Sequence, residues 1–137
     1  MAAPVELLRS VPLFAELGDR ELKKIAATFK ERQVEAGASV ATEGEAGVGF
    51  FVVAEGEATV AVGGRQVGRL GPGDCFGEIA LIDGGTRSAT VTAVTPLRCY
   101  GLTSWAFKPL VEESPAIAWP LLQTLAWRLR TAEGRTI

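Results

Sequence analysis

Histidine is absent from this chain of 137 residues, and there are only two cysteines, one methionine and one tyrosine. Without an imidazole, acid–base or triad chemistry that runs through histidine is excluded. Cys75 and Cys99 stand well apart and have no histidine to complete a zinc site. A metal-dependent cupin, which would otherwise suit a glycine-rich strand pattern, loses its usual ligands. Two cysteines do not make a disulfide framework either, and they read as reduced, partly buried thiols of a cytoplasmic protein. No apolar run reaches the ~18 residues that a membrane span needs. The opening "MAAPVELLRSVPLF" carries charges inside its apolar part, unlike a signal peptide. Net charge is −2 with no basic cluster, so the chain has no general attraction to nucleic acid or to an acidic membrane.

What is present is a glycine-punctuated chain, 47% apolar and 22% charged, long enough for one domain with a sizeable core. Residues 1–31 read as helical. "PVELLRS" is a short helical turn with Pro4 at its start. "GDRELKKIAATFKER" places Leu22, Ile25, Ala26 and Phe29 on one apolar face behind an Asp19 N-cap. From about Gln33 to Leu102 the period changes, and short β-rich runs such as "FFVVAEG", "ATVAV" and "SATVTAV" alternate with glycines and prolines. That pattern predicts an antiparallel roll or barrel rather than βαβ units. "VGGRQV" reads as a hairpin and "LGPGD" as a second tight turn. Residues 103–137 return to a helical period. "SWAFKPLVEE" is capped by Ser104 and bent or shortened by Pro109. A longer helix follows from Ser114–Pro115, kinked at Pro120, with Ile117, Leu121, Leu125 and Leu129 near one face.

The stretch "GPGDCFGEIALIDGGTRSATV" fits core packing poorly, since a core has no use for Glu78 or Arg87. A short helix opening near Gly77 would present free N–H groups and a partial positive charge to an anion, and Gly77 would permit close backbone approach. "GG" at 84–85 would end that helix and return the chain, through Arg87, to the same opening. A guanidinium donates two parallel hydrogen bonds to phosphate. A carboxylate repels phosphate but accepts a hydrogen bond from a sugar hydroxyl. The pair therefore suits a phosphorylated sugar with a free hydroxyl. The plainer alternative is a set of turn glycines and a structural or solvated Glu–Arg pair.

The order of residues in "FGEIALIDGGTRSATV" resembles the phosphate-binding cassette of cyclic-nucleotide-binding domains, as found in cAMP-dependent kinase regulatory subunits, catabolite-activator-type transcription factors and cyclic-nucleotide-gated channels. Phe76, Gly77, Glu78, Ile79, Ala80, Leu81, Arg87, Ser88, Ala89 and Thr90 match the family pattern. The strand run from Glu35 to Val60, with Gly37, Gly44 and Gly56, resembles the family more loosely, as do the helical ends. The resemblance implies a mainly β fold with flanking helices: an antiparallel, jelly-roll-like β-roll over 33–102, a cassette over 76–91 with its own short helix, N-terminal helices over 1–31 and two C-terminal helices over 103–137.

Carried over residue by residue, the resemblance implies that Glu78 receives the ribose 2′-OH and Arg87 pairs with the cyclic phosphate. The amides of Gly77, Ile79, Ala80 and Ala89 would lie around the sugar-phosphate. Ser88 would bond the phosphate or reach the base, and Val62 is a candidate for the apolar wall beside the purine, with a place in the barrel core as its alternative. The C-terminal helix would close as a lid, with Leu122, Leu125, Arg128 and Leu129 as the candidates on it; helix periodicity alone does not separate lid from core from dimer seam. Ser88 stands where cGMP-preferring members usually carry Thr, so cAMP is the expected ligand and cGMP the second choice. The expectation is a non-catalytic cytoplasmic sensor, with no metal or cofactor, no nucleic-acid partner and no membrane insertion, whose partner beyond the nucleotide is a second copy or a protein effector. The starting Met and polar end favour a complete chain over a regulatory fragment of a channel or transcription factor. Rival readings are an interaction module that has lost its ligand and a β-roll sugar isomerase, the latter weakened by the absence of histidine.

Overall fold

The hydrophobic period changes twice along the chain, and the secondary structure changes with it. The structure, a computed structural model, describes residues 3–45 and 49–133, with the backbone alone described at 78–80 and 133. Helix α1 (Val5–Arg9), a 3-10 turn (Pro12–Phe14) and α2 (Asp19–Thr28) lead into strands β1 (Lys30–Val34), β2 (Ser39–Ala41), β3 (Gly49–Glu55), β4 (Ala58–Val62), β5 (Arg65–Leu70) and β6 (Cys75–Phe76). Helix α3 (Glu78–Asp83) precedes β7 (Thr90–Ala93) and β8 (Leu97–Thr103), and α4 (Ser104–Glu113) and α5 (Pro115–Glu133) follow. The strands form two antiparallel sheets, in the orders β1-β8-β3-β6 and β2-β7-β4-β5. This is the expected β-roll with flanking helices.

Strand β3 explains the architecture. Its run "FFVV" is apolar on both faces because both faces are covered. Phe50 and Val52 belong to the core under the helices, with Leu22, Ile25, Phe29 and Leu102. Val53 lies in the second core, with Ala58, Val91, Leu97 and Cys99, and Phe51 packs against it. Phe14, Phe29 and Phe50 meet edge to face with centroids 5.8–6.4 Å apart, pinning the N-terminal helices to the sheet. Such pairs contribute ~0.5–1.5 kcal/mol each beyond area burial.

Several sequence expectations are corrected. Gly18, not Asp19, is the N-cap of α2, and the Asp19 carboxylate instead accepts a hydrogen bond from Arg9 Nη1 at 2.6 Å. Helix α2 ends at Thr28 and the sheet starts at Lys30, earlier than Gln33. "KER" has good helix propensity, but pairing with β8 in the register Lys30↔Gly101 to Val34↔Leu97 overrides it. Thr103 rather than Ser104 precedes α4, because β8 stays extended through its pairing with Gly49. Helix α4 is not shortened at Pro109, and α5 likewise runs on through Pro120. Burial of Ile117 and Leu121 on either side of Pro120 offsets its missing hydrogen bond. The expected face of α5 also drifts: Ile117 and Leu121 are buried, Leu125 is half-buried and Leu129 is 60% exposed. A spacing of four advances ~40° beyond a full turn at each step, so three steps carry a residue off the face.

Two turns close as read. Gly63 and Gly64 both have positive φ (60° and 78°), as a two-residue hairpin loop of type I′ requires, between paired Val62 and Arg65. In "LGPGD" the Asp74 amide donates to the Gly71 carbonyl, and the Gly71 amide donates back to Asp74 Oδ2 at 2.8 Å.

Candidate functional site

Strand β6 is short because Gly77 turns the chain away from it at a φ of 90°. Helix α3 begins at the next residue, and Leu81 anchors it in the helical core. The helix stops before Gly84 (φ 69°), and Asp83 Oδ1 accepts from the Gly85 amide at 2.7 Å. The returning chain is then fixed by backbone pairing. The Arg87 amide donates to the Glu45 carbonyl (2.8 Å) and the Gly44 amide donates to the Arg87 carbonyl (3.0 Å). Turn and return enclose a cavity of about 450 Å³. Ala41, Val60, Leu70 and Val91 form its apolar wall, and Gly77, Arg87, Ser88 and Ala89 its polar side.

Arg87 dominates the electrostatics. Its Nη2 donates to the Gly49 carbonyl at 2.6 Å, and its guanidinium lies over the Phe51 ring, 5.9 Å from the centroid. Nη1 is buried and has no hydrogen-bond partner among the described residues. Burial pushes the pKa of Arg87 down from its ordinary value, yet an arginine remains protonated throughout the working range. A half-buried cation held by one neutral carbonyl, with a donor unspent, is electrostatically suited to an anion. The cavity also borders Asp83, whose Oδ1 is already engaged by Gly85.

Gly77 is required on two counts. Its positive φ disfavours other residues, and an added Cβ would lie 2.6 Å from the Gly49 carbonyl oxygen and collide with Arg87 Nη1.

The structure brings Gly77, Arg87, Ser88 and Ala89 together around one cavity. Glu78, Ile79 and Ala80 form the first turn of α3, beside Gly77, and their side chains lie outside the described residues. Val62 is 43% exposed and does not line the cavity, because β4 has by then run out toward the hairpin. Val60, two residues earlier on the same face, takes its place. Leu122, Leu125, Arg128 and Leu129 do not line it either. Leu122 and Leu125 border a separate apolar groove of about 580 Å³ with Leu81, Trp105 and Phe107, while Arg128 borders a cleft with Pro12 and Glu16. Ala41, Leu70 and Asp83 were not singled out from the sequence. The run "ATVAV" marked a strand that carries Val60, but neighbours across the sheet such as Ala41 and Leu70 carry no local signal.

No group of three or more potential metal ligands occurs among the described residues, and no helix is long and apolar enough to cross a membrane.

Comparison with known proteins agrees with this geometry. Residues 31–114 match the family model described as "Cyclic nucleotide-binding domain". The chain is 41% identical over 119 residues to a cyclic nucleotide-gated potassium channel of Rhizobium etli, covering 87% of this chain and 33% of the channel. It thus spans about a third of the length of the curated relatives it matches. The N-terminal domain of a transcriptional regulator from Streptomyces coelicolor superimposes with a TM-score of 0.85 at 32% identity, covering 96% of this chain and 97% of that one. The regulatory domain of Toxoplasma gondii PKA, solved with cAMP, gives a TM-score of 0.72 at 32% identity, covering 80% of this chain and 43% of that one.

Proposed function

The chain belongs to the cyclic nucleotide-binding domain family, and from that premise we propose that it is a sensor of 3′,5′-cAMP, with cGMP the weaker ligand. The single observation that carries this reading is Arg87, a cation that lines the cassette cavity with its Nη1 unspent among the described residues. Arg87 holds the cyclic phosphate through paired charge-assisted bonds. Glu78 receives the ribose 2′-OH, and the amides of Gly77, Ile79, Ala80 and Ala89 surround the sugar-phosphate. Ser88 bonds the phosphate or the base. The purine rests on the apolar wall of Val60, Leu70 and Val91. The role is binding, not catalysis.

Binding is coupled to α5, which closes over the base through Leu122, Leu125, Arg128 and Leu129. That closure takes α5 from its seat beside α4 and the 3-10 turn. Driving a two-state element from 1:99 to 99:1 requires ~5.5 kcal/mol of differential affinity. A few charge-assisted bonds of ~1.5–3 kcal/mol each, with apolar cover over the base, are of that size. The output passes to a second copy or to a protein effector in the cytoplasm. The location is supported by two cysteines that form no disulfide.

Thermal unfolding with cAMP, cGMP and 5′-AMP tests the reading. Ligand at 100 times its dissociation constant adds ~2.7 kcal/mol, a shift of roughly ten degrees for a domain this size. The expected result is the largest shift with cAMP and none with 5′-AMP. No shift with any nucleotide leaves an interaction module on the same fold, and turnover of a nucleotide leaves an enzyme.

A further inference from the structure

We propose that Phe51 is a positioning residue for Arg87: its ring, the Gly49 carbonyl and the bare α-carbon of Gly77 form a three-sided socket that orients the guanidinium toward the cavity. The inference rests on the reading of Arg87 as the phosphate anchor and adds a residue outside the cassette to it.

The socket follows from backbone and ring geometry. Phe50 and Val52 turn to the helical core, so Phe51 turns to the opposite face of β3. Its cross-strand partner there is Gly101. A Cβ on Gly101 would come 2.7 Å from the Phe51 ring, and one on Gly49 would come within 3.3 Å. The ring therefore occupies space that two glycines leave open. Phe76, paired with Phe51 across the ladder, stacks on it at 5.2 Å and 24°. A ring fixed by strand, glycines and stacking partner is a rigid surface. Arg87 Cζ lies over it at 5.9 Å while Nη2 is held by Gly49. An arginine side chain free in solvent loses rotamer freedom when it grips an anion, and one already held does not. Arg32 of β1 also lies over this ring, at 5.6 Å, and serves as a control.

The test has two arms on the full chain. In the first, ¹⁵N NMR follows the Arg87 guanidinium without ligand. Wild type is expected to show slow rotation and resolved Nη signals. Phe51→Leu and Phe51→Met, each keeping an apolar side chain over the glycines, should average those signals, and Phe51→Tyr should keep them resolved. In the second arm, Phe51→Leu should weaken cAMP roughly five- to thirtyfold. Affinity for adenosine, which lacks the phosphate, should stay unchanged. Phe51→Tyr should restore cAMP binding, and Arg32→Gln should alter it less than about twofold. Arg87 signals as restricted in Phe51→Leu and Phe51→Met as in wild type overturn the proposal. So does an equal loss of cAMP and adenosine, or a loss in Arg32→Gln matching that in Phe51→Leu. A wild type that binds no cyclic nucleotide ends the functional reading instead, and the first arm still decides the socket.

Discussion

Gly77 and Arg87 share one space: the guanidinium of Arg87 occupies the place where a Cβ on residue 77 would stand. Gly77→Ala therefore adds a collision to a positive φ, which itself costs ~1–2 kcal/mol for a residue with a Cβ. The substitution should lower the melting temperature by several degrees and abolish the cAMP-dependent shift. A Gly77→Ala protein with wild-type affinity for cAMP would show that Arg87 can bind phosphate from elsewhere than this socket.

Arg87 itself should separate stability from binding. Its pKa is pushed down because burial disfavours the charge, and no described carboxylate offsets that cost. Arg87→Met removes the desolvated charge and keeps an apolar side chain, but leaves the Gly49 carbonyl without its donor. The ligand-free protein should lose no more than roughly 1–3 kcal/mol, with no response to cAMP. Arg87→Lys should bind weakly, since an ammonium cannot make the paired contact. Unfolding far below the wild-type temperature would mean that Arg87 is chiefly a structural strut.

The sequence carried the cassette and the roll more readably than the helices' limits. Glu78 and Arg87 were legible because a core has no use for either, Gly77 because a close backbone approach needs it, and the glycine pair at 63–64 because a tight hairpin needs it. Val62 came from the family resemblance, and nothing local in β4 marks where along the strand the cavity ends, so Val60 rather than Val62 lines it. Leu129 was misplaced because a spacing of four only approximates the helical repeat. Gly49 and Gly101, which make room for Phe51, sit in strands where nothing local announces their use. Their reason lies in the Phe51 ring, two residues along the same strand from Gly49 and across the ladder from Gly101.

The N-terminal helices should show an acid-dependent tether. Arg9 holds the Asp19 carboxyl below the usual carboxylate range, first through their hydrogen bond and then through charge. A folded pKa below the unfolded value means the contribution is fully present above the unfolded pKa of ~3.9 and is lost as pH falls through the folded one. Asp19→Asn should thus differ from wild type in melting temperature near pH 7 and converge with it in strong acid. NMR titration should place the Asp19 midpoint below that of an exposed aspartate. A difference that persists below pH ~2 would assign the effect to something other than this ion pair.

The two thiols should differ in reactivity. Cys99 is buried between β1 and β3, and that burial pushes its pKa up. Cys75 is half-buried and borders the cassette cavity. A thiol reagent should modify Cys75 first, and reach Cys99 only on unfolding. Equal rates at the two thiols in the folded protein would show that Cys99 is not shielded by the sheet.

Movement of α5 is the most exposed element of the functional reading. Helix α3 stands between two hollows, and Asp83 borders both the cassette cavity and the apolar groove that holds Leu122 and Leu125. Closing over the base requires those leucines to leave the groove. Trp119 and Trp127, 64% and 67% exposed on the same helix, would change surroundings as they do. Variants retaining only Trp119 or only Trp127 should report the change: saturating cAMP should shift the emission of at least one to shorter wavelength. Leu125→Asn should weaken the packing against α4 and alter the ligand-induced shift without touching the phosphate contacts. Unchanged emission from both reporters, alongside a full thermal shift with cAMP, would leave the nucleotide site intact and remove α5 from the mechanism.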